Sequence, residues 1–61
     1  MLEYVKLILT KVSFDKNLFE KELSKAVHKL ASTELGELKE WCYSHFSDSY
    51  FDILEKFFAN F

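Results

Sequence analysis

The chain has 61 residues, 49% of them hydrophobic and 18% aromatic, with a formal net charge of −2. That length suits one domain near the lower limit for folding without staples, burying about 60% of its unfolded surface and stable by a few kcal/mol. One cysteine excludes an internal disulfide, Cys42, His28 and His45 fall short of a closed four-ligand zinc site, and eight lysines with no arginine argue against nucleic-acid recognition.

Residues 2–12 read as a helix. Leu2, Val5, Ile8, Leu9 and Val12 share one face, with Tyr4 at its edge and Glu3, Lys6 and Thr10 opposite; strict alternation, the mark of a strand, fails at Leu7-Ile8-Leu9. Leu7 stands off the stripe. The charges at Glu3, Lys6 and Lys11, and the lack of a small-residue cleavage site, separate this segment from a signal peptide. No apolar run approaches the ~20 residues of a membrane span. An unpaired cysteine without an export signal then suggests a reducing, cytoplasmic setting.

Residues 15–31 carry the clearest amphipathic pattern. At 100° per residue from Phe14, the side chains of Phe19, Leu23, Ala26, Val27 and Leu30 fall within about 120° to 220°. Lys21, Lys25 and Lys29 form a ridge on the other face, where Leu18 is an apolar misfit. Asp15 is placed to cap the first turn, with Phe14 and Phe19 as a hydrophobic staple.

A third helix is expected over 33–46, capped by Ser32 or Thr33, with Glu34 in its first turn. Its arc holds Leu35, Leu38, Trp41, Cys42, His45 and Phe46, opposed by Glu37, Glu40 and Ser44. Gly36 lies inside it, where it either lowers helix stability by up to ~1 kcal/mol or permits close backbone approach. Ser47, Asp48 and Ser49 mark a break. The run Phe46 to Phe51 repeats the phenylalanine–cap–phenylalanine order of Phe14 to Phe19, so a fourth helix is expected over 48–60, with Tyr50, Ile53, Leu54, Phe57, Phe58 and Phe61 on one wide arc. With no proline, linker or low-complexity stretch, residues 1–61 are expected to form a single all-α, compact four-helix domain, a bundle or an orthogonal array.

The phrases LEYVKLILTKVSFDKNLFEKEL and LGELKEWCYSHF resemble those of short, uncharacterised, all-helical bacterial proteins. The resemblance implies a helical fold and a bacterial cytosolic setting, and it brings no catalytic or ligand motif.

Chemistry is sparse. Cys42, His45 and Asp48 stand in the order of a thiol nucleophile, its base and an orienting carboxylate, but Cys42 sits in mid-arc, where a thiol is an inert small hydrophobe. Cys42 and His45 also have the spacing of two metal ligands, and His28 lies on the lysine face, away from them. The reading is therefore no catalytic residue, no metal and no cofactor. Residues 1–31 hold six lysines against four carboxylates, and residues 32–61 two against six, an asymmetry that suits docking of two copies, or of the domain's own halves, more than capture of DNA. Eight of the eleven aromatics fall within 41–61, more than a core this small can hide. The expected function is a non-enzymatic protein-interaction or regulatory module, a homodimer or the partner of another protein. Leu18, Tyr43, Phe51 and Phe58 are the candidate interface, joined by Leu7. The alternative is a small nucleic-acid-binding regulator using the Lys21/Lys25/Lys29 ridge; an acidic third helix with Glu34, Glu37 and Glu40 makes a poor reader of phosphate-lined grooves.

Overall fold

In the computed structural model, which describes residues 1–59, the chain is all-α: α1 spans Leu2–Lys11, α2 Lys16–Lys29 and α3 Ser32–Phe58. Among the described residues there are three helices, not the four expected. Residue 60, the expected end of a fourth helix, and Phe61 of its arc lie outside the described residues. By proximity the chain divides into two compact units, one from Met1 to Leu30 and one beginning at Ala31.

The first unit is a pair of helices joined by a tight turn. In α1 the Met1 carbonyl accepts the first helical bond, from the Val5 N–H at 3.0 Å. Glu3 in the first turn and Lys11 in the last match the helix dipole. The chain then turns on short bonds: the Ser13 hydroxyl donates to the Thr10 carbonyl at 2.8 Å and the Asp15 N–H to the Val12 carbonyl at 3.1 Å. Asp15 is the expected cap. One carboxylate oxygen accepts from the N–H groups of Asn17 (2.9 Å) and Leu18 (3.2 Å), satisfying two donors that have no helical partner. The staple does not close: Phe19 is fully buried while Phe14 remains 80% exposed.

Helix α2 ends at Lys29, before the expected residue 31, because Leu30 takes an extended conformation (φ −83°, ψ 148°). Its side chain is nevertheless buried, with Val5, Leu9, Phe19, Leu23 and Ala26. They belong to the stripes read from the sequence, whose other members Leu2, Ile8, Val12 and Val27 are half-buried, and each fully buried side chain contributes about 1.5–3 kcal/mol.

The second unit is α3. Its cap is Ala31 rather than Ser32 or Thr33; alanine offers no side-chain acceptor, and the Glu34 carboxylate instead reaches back to accept from the Ala31 N–H at 3.2 Å. Gly36 makes no close approach, since a Cβ built there meets nothing within 4 Å. Ser47, Asp48 and Ser49 do not interrupt the helix, and the expected second cap and staple are absent. Serine and aspartate each lower helix propensity by only about half a kcal/mol, so the hydrogen-bonded backbone continues through them.

The chain leaves helical geometry three residues after Ser47, at Tyr50 (φ −129°, ψ 32°). The two limbs of α3 fold toward each other there. Along a straight helix, residues 43 and 58 would be about 22 Å apart; here the rings of Tyr43 and Phe58 are 6.4 Å apart. Leu35, Leu38, Cys42, Ile53, Leu54 and Phe58 are the buried side chains of this unit.

Candidate functional site

Two surfaces carry the exposed aromatic material, one on each unit. On the first unit, α1 and α2 leave a groove of about 200 Å³ between them. Met1, Tyr4, Val5, Ile8 and Leu9 form its α1 wall, and Glu22, Lys25, Ala26 and Lys29 its α2 wall. The start of α1 therefore lies beside the end of α2, as a short turn between antiparallel helices requires. One wall is apolar. The other ends in ammonium groups: Lys25 lies 3.5 Å from the Glu22 carboxylate, whereas Lys29 has no carboxylate partner among the described residues.

Periodicity explains the groove. The apolar side chains of α1 wrap well beyond the width that a single neighbouring helix covers, so Val5 and Leu9 are buried while Tyr4 (63% exposed) and Leu7 stay in the open. Phe14 and Leu18, at the turn and in the first turn of α2, are exposed as well. Phe14 and Tyr4 were not singled out as interface residues from the sequence; a phenylalanine stranded before a helix cap, beside a helix with too wide an apolar arc, was the available signal.

On the second unit, the bend at Tyr50 makes a knuckle. The Tyr43 hydroxyl donates to the Glu55 carboxylate at 2.7 Å, tying one limb to the other. Held by that bond, and secondarily by partial burial, the phenol is pushed up to about 12. The Phe51 ring meets the Tyr43 ring edge-on at 6.2 Å and is still 54% exposed. Behind the knuckle, Trp41 packs on Phe46 at 5.4 Å, and Phe46 lies 6.4 Å from Tyr50.

Of the four interface candidates, Leu18 and Phe51 are exposed, Tyr43 is half-buried and Phe58 has no exposed surface. Phe58 is a correction. Its position at the edge of a wide arc suggested a wet ring, but the fold at Tyr50 turns it in toward Tyr43. Leu7 is exposed, as the sequence suggested.

The lysine ridge is exposed along Lys21, Lys25 and Lys29, and its last two members also edge the groove, which a helical wheel does not reveal. His28 is exposed; its Nδ1–H donates to the Ser24 carbonyl at 2.7 Å.

The thiol is poorly placed for nucleophilic chemistry. Cys42 is fully buried, and desolvation pushes it up to about 12, while His45 and Asp48 are exposed. His45 is exposed, with its Nδ1–H donating to the Trp41 carbonyl at 2.9 Å. Among the described residues no three His, Cys, Asp or Glu side chains converge as metal ligands, and no helix is long and apolar enough to cross a membrane.

Comparison of the chain with protein-family models, with curated proteins and with solved structures yields no match.

Proposed function

We propose that this protein is a non-enzymatic interaction or regulatory module, working in the cytoplasm, that docks a protein partner through exposed apolar surface. The observation that carries the reading is the exposure of Tyr4, Leu7, Phe14, Leu18 and Phe51 on so short a chain. Aromatic side chains such as Tyr4, Phe14 and Phe51 are enriched at the centres of protein interfaces relative to the rest of a protein surface. The buried, undissociated thiol of Cys42 agrees with a structural role for it. The nucleic-acid reading is weaker: Glu22, 3.5 Å from Lys25, puts a negative charge in the middle of the lysine ridge, where a phosphate-tracking surface would be cationic.

A photo-crosslinking residue at Leu7 or Phe14, compared with one at the exposed, polar Glu37, tests the proposal in cells. A discrete protein adduct from the two apolar positions and none from Glu37 is the expected result. No adduct from any position, or equal adducts from all three, would refute it.

A further inference from the structure

We infer that the groove between α1 and α2 is the seat for the Phe51 knuckle of a second copy of this chain. The inference rests on the docking-module reading and names its partner. At about 200 Å³ the groove is smaller than the ~300–1,000 Å³ of small-molecule sites, and its size suits a single anchoring side chain.

Phe51 has the properties of such an anchor. It is large and exposed, and the edge of the Tyr43 ring holds it in place, so little conformational freedom is lost on docking. The surroundings of the two surfaces complement each other. Lys25, Lys29 and Glu22 edge the groove, a rim that is net positive with Lys25 paired to Glu22, and the exposed carboxylates of Asp48, Asp52 and Glu55, the last held by the Tyr43 hydroxyl, flank Phe51 in sequence. The same sign relation holds over the whole chain, which is positive to residue 31 and negative beyond it. A ring entering an apolar slot while carboxylates meet ammonium groups at its rim is the usual division between an interface core and its polar edge.

Sedimentation velocity on the full chain, from low to high micromolar, reads the association. The wild type should associate, and Phe51→Ala should weaken it at least about tenfold, with helix content unchanged by circular dichroism because the ring is exposed. Lys29→Glu and Asp52→Lys should each weaken association, and an equimolar mixture of these two variants should recover it, since each then supplies the other with a matched contact. A wild type that stays monomeric at high micromolar concentration overturns the inference, as does Phe51→Ala associating like the wild type or a mixture that recovers nothing. If one of these results comes with a crosslinked adduct to another protein at Leu7 or Phe14, the self-docking inference falls and the interaction module stands. If no adduct forms either, both fall.

Discussion

Phe51 and Phe58 are seven residues apart on the same helical limb, yet the bend at Tyr50 gives them opposite fates, and their truncation should separate sharply. Phe58 has no exposed surface, so Phe58→Ala removes a fully packed ring and leaves a cavity, a loss of about 3–5 kcal/mol. A chain of this length is stable by only about 3–9 kcal/mol, so that variant will be largely unfolded in many conditions. Phe58→Leu is the better measurement. It retains much of the volume and should lower stability by about 1–2 kcal/mol. Phe51 is 54% exposed and leaves no closed cavity, so Phe51→Ala should lower it by about 1 kcal/mol or less. With a urea m-value near 1 kcal/mol/M for a small domain, the midpoints should fall by about 1–2 M for Phe58→Leu and by less than about 1 M for Phe51→Ala. The assay is urea unfolding followed by far-ultraviolet circular dichroism, at low micromolar protein so that self-association does not contribute to stability. If Phe51→Ala proves at least as destabilising as Phe58→Leu, the inward turn of the second limb is wrong, and with it the exposed anchor.

Three further outcomes follow from particular side chains. Gly36→Ala should raise stability by up to ~1 kcal/mol and the melting temperature by about 4–8 °C, because the added Cβ meets nothing within 4 Å; an unchanged or lowered midpoint would mean a neighbour crosses that face. Asp15→Ala removes the acceptor of two helix-end N–H groups and should lower the urea stability by about 1 kcal/mol; no loss would show that water caps α2 equally well. Alkali should destabilise the fold. Burial raises the Cys42 thiol from its ordinary 9.0 to about 12, and the Glu55 bond with partial burial raises the Tyr43 phenol from 10.0 to about 12. Both raised groups favour the neutral form in the folded chain, so their contribution is complete below about pH 9 and is lost as pH rises toward 12. The thiol alone sets a fall of about 1.4 kcal/mol per pH unit in that window, and the more exposed phenol adds less because solvent screens it. Unfolding free energies that stay level from about pH 9 to about pH 11 would contradict this burial of Cys42.

The amino-acid sequence by itself determined whatever lies within a few turns of helix. The stripes of α1 and α2, the Asp15 cap and the burial of Cys42 in mid-arc all follow from spacing and side-chain chemistry, and so does the all-α class. Where local signals conflicted, reading them failed. Ser47-Asp48-Ser49 has the composition of a cap, but capping is worth about as much as the helical bonds it would replace, and the helix runs on to bend at Tyr50. Only the tertiary structure decided which part of each wide apolar arc is covered. It buried Phe58, left Phe14 and Phe51 in the open, and set Lys25 and Lys29 at the mouth of an apolar groove. A side chain's direction around its own helix is a local property, whereas its exposure depends on what arrives opposite it, and that is set by backbone geometry many residues away.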